Sequence, residues 1–86
     1  MRDQAKVLQD KLKTVVVSVV EYDGKIQLTM NGNQEILSLT IAPEILTPAN
    51  NAKIEQALKN LFTQAKDKTQ KEAAMLLQRE GGLPNL

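Results

Sequence analysis

The stretch DGKIQLTMNG, residues 23–32, decides the fold because it places a β-strand between two turns. Apolar residues occupy every second position from Ile26 to Met30, the pattern of a strand that buries one face. Asp23-Gly24 and Asn31-Gly32 flank this strand, and both pairs suit two-residue type I′ turns, whose central positions need positive φ. The sequence therefore predicts an antiparallel meander built around this strand.

The segments on either side supply the two outer strands. Residues 14–22, TVVVSVVEY, are rich in β-branched side chains, which suit a packed sheet. Residues 35–41, EILSLTI, alternate between two faces. The apolar face consists of Leu37, Leu39 and Ile41, and the mixed face consists of Ile36, Ser38 and Thr40. We therefore expect strands at 14–22, 25–30 and 34–41.

Helical periodicity precedes and follows the predicted sheet. Residues 3–13, DQAKVLQDKLK, form a short amphipathic pattern, and residues 51–80 carry a longer apolar stripe with nearly heptad spacing. Asn50 or Asn51 is the candidate N-cap of the long helix, and Gly81 is the candidate residue that ends it. The predicted fold is a single α+β domain over residues 1–86, with the order α-β-β-β-α in two layers.

The composition excludes several kinds of chemistry. The 86 residues include no cysteine and no histidine, which rules out disulfides, thiolate or imidazole metal sites and the most common general base near neutral pH. Glu21 and Asp23 flank a predicted tight turn, where solvation explains them better than catalysis. No glycine-rich phosphate loop is present. We predict no enzymatic activity, no catalytic residue, no metal and no cofactor.

No segment predicts a membrane span or a secretory leader. The longest apolar stretch, VVVSVV at residues 15–20, is far shorter than the ~20 residues that cross a bilayer. We therefore expect a cytoplasmic protein without a membrane partner.

The first strand carries apolar residues on both faces: Val15, Val17 and Val19 are expected on one face, and Val16 and Val20 with Tyr22 on the other. One row is expected to join the core, and the other needs a second cover, because an open sheet face is normally polar. A domain of this length buries only roughly 60% of its unfolded surface, so a second subunit is the simplest cover. The alternatives are that the first helix folds back over this row, or that these valines serve only to form the strand. The candidate dimer interface consists of Val16, Val20, Tyr22, Leu8 and Leu12.

Charge is unevenly placed along a chain whose net charge is only +1. Residues 1–13 and 52–86 each carry a net +2, whereas residues 14–51 carry −3. Basic helical faces can follow the phosphate backbone of a duplex, while two aromatic residues are too few for a stacking platform. The alternative is a solvated helix surface with ion pairs such as Asp67–Lys71. The candidate phosphate contacts are Lys6, Lys11, Lys13, Lys66, Lys68, Lys71 and Arg79.

Five segments also carry a resemblance to a known family: QAKVLQDKLK, DGKIQLTMNG, LTIAPEIL, QALKNLFTQAKDKTQK and GGLPNL. In this order and spacing the chain resembles the YbaB/EbfC family of bacterial nucleoid-associated proteins along nearly its whole length. The resemblance implies an α-β-β-β-α fold, a tight homodimer whose helices project as a tweezer, and DNA binding without enzymatic activity. The short first helix and Ala42, where the family commonly has an acid, weaken the expected DNA binding more than the expected fold.

We therefore expect a homodimeric nucleoid-associated protein that binds double-stranded DNA mainly through phosphate contacts and influences gene expression or nucleoid organisation. The alternative is a non-enzymatic protein–protein adaptor with the same dimeric fold, which recruits a protein partner through the long helix. Phosphate binding weakens as salt rises, whereas binding between apolar helix faces tolerates salt.

Overall fold

The computed structural model describes the backbone of residues 2–79 and the side chains of residues 6–79. The elements are α1 (Arg2–Lys13), β1 (Val16–Glu21), β2 (Ile26–Asn31), β3 (Ile36–Ile41), two 3₁₀ turns (Pro43–Ile45 and Pro48–Asn50) and α2 (Asn51–Arg79). The predicted α+β class and the order of helices and strands are confirmed. The predicted helix end at Gly81 and the tail that follows it lie outside the described residues.

The strands form one antiparallel sheet in the order β1-β2-β3. Val19 pairs with Leu28, and Leu28 pairs with Leu39, so one face of the sheet carries aliphatic residues from all three strands. α2 packs on this face over β1 and β2. The core therefore lies between α2 and the first two strands, made by Val17, Val19, Ile26, Leu28, Met30, Ile45, Ala57, Leu61 and Ala65.

α2 contacts the sheet through a stripe of mostly small side chains at i, i+4 spacing. Its buried residues are Ala57, Leu61, Ala65 and Thr69. The alanines let the helix approach the sheet closely, and Leu61 is fully buried, which contributes about 1.5–3 kcal/mol. The hydroxyl of Thr69 donates to the carbonyl of Lys66 at 2.8 Å, so this buried polar atom is satisfied within the helix.

A pair of hydrogen bonds sets the direction of α2. The carboxylate of Glu21, at the end of β1, accepts from Asn60 Nδ2 at 3.1 Å and from Gln64 Nε2 at 3.2 Å. Residues 67–71 then lie beside the middle of β1. α2 therefore runs antiparallel to β1, and it continues for ten residues, about 15 Å, past its last buried residue, Thr69.

The positive φ predicted for Asp23 and Gly24 is confirmed, whereas the predicted two-residue connection is wrong, because residues 22–25 all lie between the paired strands. Asp23 and Gly24 have φ of 55° and 81°, and the amide of Lys25 donates to the carbonyl of Tyr22 at 3.0 Å. Strand pairing nevertheless ends at Glu21, and Tyr22 itself has φ of 59°. The left-handed conformation of Tyr22 turns it out of the strand, so its side chain packs against the core. The prediction that Tyr22 shares a face with Val16 and Val20 is therefore wrong.

The prediction of a two-residue type I′ turn at Asn31-Gly32 is wrong. Asn31 donates its amide to the carbonyl of Glu35, so the connection has three residues, 32–34. The amide of Gln34 donates to the carbonyl of Asn31 at 2.8 Å, and Gln34, not Gly32, has positive φ. A three-residue hairpin of this kind, a turn followed by a left-handed residue, is a common alternative to the two-residue loop.

The face predicted for Ile36 is also wrong, because the pairing of β2 with β3 shifts by one residue. Thr29 pairs with Ser38, whereas Met30 pairs with Ile36, which leaves Leu37 as an extra residue in β3. Such a bulge reverses the alternation beyond it. The side chain of Ile36 therefore lies on the same face of the sheet as that of Met30, whereas the sequence pattern predicted the face of Ser38.

The start of α2 uses no side-chain cap from Asn50. Its Nδ2 donates to the carbonyl of Ile45 at 2.9 Å and ties the two 3₁₀ turns together. The second 3₁₀ turn, Pro48–Asn50, then leads directly into α2, since the amide of Asn51 donates to the carbonyl of Pro48. The predicted polar link thus forms an ordered corner between the sheet and the long helix.

Candidate nucleic-acid interface

α1 and the C-terminal part of α2 lie at the same end of the sheet. The short link from α1 enters β1 at Val16, which pairs with Asn31, and α2 passes this end after running antiparallel to β1. We call α1 together with residues 66–79 of α2 the helical end of the molecule. The opposite end holds the β1–β2 turn and the start of α2, and we call it the hairpin end.

The turn between β2 and β3 caps the C-terminus of α1. The amide of Gly32 donates to the carbonyl of Leu12 at 3.0 Å, and Asn33 Nδ2 donates to the carbonyl of Gln9 at 3.1 Å. Thr14 donates its hydroxyl to the carbonyl of Lys11 at 2.6 Å. The last carbonyls of a helix have no partner within the helix, so these bonds both satisfy them and fix the position of α1. They also explain why β1 begins at Val16 and not at Thr14.

Asn31 organises this turn and is 4% exposed. Its Oδ1 accepts from the amides of Asn33 and Glu35 at 2.9 and 3.1 Å, and its Nδ2 donates to Glu35 Oε1 at 2.8 Å. The Asn-Gly pair predicts only a positive φ for Asn31 and does not predict that its side chain holds the turn on which α1 rests. An asparagine at the end of an apolar strand was the available signal, because Asn side chains commonly bond to the backbone two residues on.

The fold places the basic residues of α1 and those of the second half of α2 at the same end of the molecule. Among the side chains described, the helical end and its supporting turn carry seven basic and four acidic groups, a net +3. The basic groups are the candidates named above: Lys6, Lys11, Lys13, Lys66, Lys68, Lys71 and Arg79. The hairpin end carries three basic and four acidic groups, a net −1. The molecule is therefore polarised along its 52 Å length.

Most of these basic side chains are exposed and make no ion pair within the described part of the chain. This holds for Lys6, Lys13, Lys66, Lys68, Lys71 and Arg79, whereas Lys11 is partly buried. The i, i+4 pair between Asp67 and Lys71, considered above as an alternative, is not formed in the structure. The ion pair of the hairpin end joins Lys25 to Glu44 at 3.0 Å.

A groove between β1 and α2 brings Lys68 and Lys71 beside the sheet. It is lined by Ser18, Val19, Val20, Gln64, Asp67, Lys68 and Lys71. β1 is an edge strand, so the two lysines flank its unpaired side. Lys66 lies about 160° around the helix from Lys68, on the opposite flank of α2. The structure therefore groups two of the candidate phosphate contacts, and places Lys66, Arg79 and the α1 lysines apart from them.

The residues predicted to form a dimer interface differ in their surroundings within one chain, and their role stays a prediction. Val16 and Val20 lie on the sheet face opposite α2 and are about half-exposed. Their neighbours on that face are polar, as the 3.1 Å hydrogen bond between the hydroxyls of Ser18 and Thr29 shows. Tyr22 packs against the core instead, and Leu8 and Leu12 are partly buried residues of α1.

Two further features of the described residues bear on function. None of the helices in residues 2–79 is long and apolar enough to cross a membrane. Acidic side chains in that part of the chain do not gather into a group of three that could hold a metal ion.

Curated relatives of the chain are nucleoid-associated proteins. One from Chloroflexus aurantiacus is 31% identical over 87 aligned positions, which cover 100% of this chain and 87% of the relative. A nucleoid-associated protein of Synechococcus sp. (strain RCC307) is 32% identical over 76% of this chain and 61% of its own length. An uncharacterized protein of Helicobacter pylori has the same fold, with a TM-score of 0.74 and 16% identity, covering 94% of this chain and 85% of that one.

The sequence profile of the YbaB/EbfC DNA-binding family matches residues 1–80. This is a nucleoid-associated DNA-binding family and not an enzyme family, which confirms the prediction that the chain is not an enzyme. The match spans α1, the sheet and α2, and so includes every element that positions the basic side chains. The chain therefore belongs to the YbaB/EbfC DNA-binding family.

Proposed function

We propose that this protein is a nucleoid-associated protein that binds duplex DNA as a homodimer, through phosphate contacts from its helical end. The observation that carries the proposal is the concentration of seven basic side chains at this end, six of them exposed and without an ion pair in the described structure. A field of this kind attracts a polyanion, and the acidic hairpin end repels it. Membership of a DNA-binding family agrees with this orientation.

The groove beside β1 supports the proposal at the level of single contacts. Lys68 and Lys71 supply the cationic groups that suit phosphate oxygens. None of these contacts reads base edges, so we expect binding with little preference for sequence. Asp67 lies in the same groove and limits the affinity.

A homodimer is needed because one chain offers few contacts. Each neutralised phosphate contributes about −0.9 to the slope of log affinity against log salt, so Lys68 and Lys71 of one chain give only modest binding. Two chains on one duplex double this number, and the second chain then binds at a high effective concentration.

The adaptor function remains the second candidate, because one observation favours it. Met75 is half-exposed on the part of α2 that extends past the sheet, next to the partly buried Leu76 and Leu77. An exposed methionine beside leucines on a projecting helix suits recognition by an apolar groove of a protein partner.

The test is duplex binding measured by fluorescence anisotropy over a salt series, comparing wild type with Lys71→Gln and Lys53→Gln. The two lysines are 18 residues apart, so they lie on the same side of α2, separated by five turns or about 27 Å. If the helical end binds DNA, Lys71→Gln flattens the salt slope by about 1.8 for a dimer, and Lys53→Gln leaves it unchanged.

Equal effects of the two substitutions would contradict the orientation that we propose. No binding by the wild type at 50 mM salt would eliminate DNA as the partner and favour the adaptor. Binding to a protein partner that persists at high salt would then identify the α2 extension as the functional surface.

A further inference from the structure

The pair Asn31-Gly32 is open to a spontaneous chemical change. An asparagine side chain loses its amide when the backbone nitrogen of the following residue attacks it, and asparagine is thermolabile for this reason. Glycine makes the attack fastest, because it is flexible and has no side chain to obstruct the nitrogen. Asn31 is the one asparagine in the sequence that precedes a glycine.

Neither residue of the pair can be exchanged without disturbing the turn on which α1 rests. No Cβ atom fits at residue 32, beside the carbonyl of Leu12. The side chain of Asn31 bonds to the backbone amides of residues 33 and 35 and to the carboxylate of Glu35. The contacts that position α1 therefore require a dipeptide that is prone to this reaction.

The native structure restrains both groups that would react. Ring closure requires rotation of the peptide unit between Asn31 and Gly32, and this unit is hydrogen-bonded on both sides. Its carbonyl accepts from the amide of Gln34 at 2.8 Å, and its N–H donates to the carbonyl of Leu12 at 3.0 Å, which keeps the proton on the attacking nitrogen. Asn31 is 4% exposed, and its Nδ2 donates to Glu35 Oε1 at 2.8 Å.

One of these restraints belongs to α1, which is lightly held in the described part of the chain. The main packing joins α2 to β1 and β2 and the strands to one another, and α1 takes no comparable part in it. Val7 on α1 is half-exposed, and the bonds from Gly32 and Asn33 attach the end of the helix to the turn. Elements with few buried contacts open locally at a low cost in free energy, without unfolding of the core.

We propose that Asn31 is a deamidation site, protected while α1 rests on the β2–β3 turn, and that its conversion to an acid releases α1 irreversibly. The nitrogen of Gly32 loses its proton to solvent and bonds to Cγ of Asn31. The Cγ–Nδ2 bond breaks, and Nδ2 takes a proton from water and leaves as ammonia. Water then opens the succinimide ring at either carbonyl, which gives aspartate or isoaspartate. This reaction does not depend on DNA binding.

The product does not keep the native arrangement of the turn. Aspartate places a carboxylate oxygen where Nδ2 stands, 2.8 Å from Glu35 Oε1, so two like charges replace a donor and its acceptor. Isoaspartate lengthens the main chain by a methylene at the residue that pairs with Val16. Either product loosens the turn that caps α1 and adds a negative charge to the helical end.

The first test follows the mass of the peptide that contains residue 31, in the full chain at constant pH and temperature. Glu35→Ala removes the acceptor of the Asn31 amide, and Glu55→Ala makes the same change at an exposed position of α2. We expect Glu35→Ala to convert Asn31 roughly tenfold faster than wild type, the factor of one hydrogen bond to a charged group, and Glu55→Ala to convert it at the wild-type rate. Equal rates in the two variants would overturn the proposal.

A second measurement separates opening of α1 from global unfolding. The rate of conversion in the native wild type, divided by the rate in urea, gives the fraction of molecules in which Asn31 can react. Hydrogen exchange at the amide of Gly32 reports breakage of its bond to Leu12, and exchange at the fully buried Leu61 reports opening of the core. We expect the reactive fraction to match the opening at Gly32 and to exceed that at Leu61 at least about tenfold. A fraction equal to the opening at Leu61 would refute the role of α1.

The consequence of the reaction is tested with Asn31→Asp, alone and combined with Glu35→Gln. We expect Asn31→Asp to lower the exchange protection of the Gly32 amide roughly tenfold, because a hydrogen bond to a charged group becomes a repulsion. Glu35→Gln should restore most of this protection, since a glutamine amide can donate to the new carboxylate. Wild-type protection in Asn31→Asp would show that deamidation does not release α1.

Discussion

The amide of Gly32 donates a hydrogen bond of 3.0 Å to the carbonyl of Leu12, and a Cβ atom at residue 32 would lie 2.5 Å from that same oxygen. The β2–β3 turn and the end of α1 are therefore in backbone contact. Only glycine allows this approach, although residue 32 has no positive φ. The position of α1, which carries three of the candidate DNA contacts, depends on this contact together with the bond from Asn33 to Gln9.

Gly32→Ala should lower the free energy of unfolding by about 2–3 kcal/mol, because the backbone of α1 must move and its capping hydrogen bonds weaken. Gly24→Ala is the matched control. Gly24 has φ of 81° but no atom near its missing Cβ, so it should lose only the roughly 1–2 kcal/mol of a left-handed alanine. Urea unfolding at a fixed protein concentration measures both. Equal losses would mean that the contact with Leu12 contributes nothing.

Asn31→Ala should destabilise the protein by about 1–3 kcal/mol, because it removes three hydrogen bonds and leaves the amide of Glu35 without its acceptor in a partly buried turn. Asn33→Ala removes a single, exposed side-chain bond to Gln9 and should cost less than about 1 kcal/mol. Thermal unfolding followed by circular dichroism at matched concentrations gives the comparison. A larger loss for Asn33→Ala would show that the cap on α1, and not the buried amide, dominates the stability of this turn.

Asp67→Asn should strengthen duplex binding several-fold at low salt, because it removes the one carboxylate in the groove that holds Lys68 and Lys71. The gain should shrink as salt rises, since a screened charge repels phosphate less. Glu55→Gln makes the same change in charge at the hairpin end and should leave the affinity nearly unchanged. Fluorescence anisotropy at two salt concentrations measures all three proteins. No gain with Asp67→Asn would place the DNA away from this groove.

The predicted elements reflect local properties of the chain. The alternation from Ile26 to Met30 and the β-branched run before it required a sheet whatever the tertiary contacts. The positive φ at Asp23 and Gly24 follows from the low steric cost of that conformation for glycine and aspartate. The prediction of a type I′ turn at Asn31-Gly32 is wrong because glycine also allows two backbone segments to approach closely. Here Gly32 contacts the carbonyl of Leu12, and this contact with α1 is a property of the tertiary structure.

The distribution of charge illustrates the same division. The basic character of residues 1–13 and 52–86 is a property of the sequence, but nothing local predicts where these segments lie in the fold. α1 and the end of α2 share one end of the molecule because α2 runs antiparallel to β1 and passes the end of the sheet where α1 enters. The sequence therefore predicts which residues are basic, but not the groove that groups Lys68 with Lys71.

The sequence by itself determined the order of helices and strands, the pairing of the three strands and the absence of histidine and cysteine chemistry, because hydrophobic periodicity, turn residues and composition act over short distances along the chain. Only the tertiary structure decided which apolar side chains α2 covers and which it leaves exposed on β3. A one-residue shift in the pairing of β2 with β3, between Thr29 and Met30, moves the side chain of Ile36 to the other face of the sheet. One helix is wide enough to cover two strands but not three, so α2 covers β1 and β2. Burial depends on these distances between elements, which no single segment encodes.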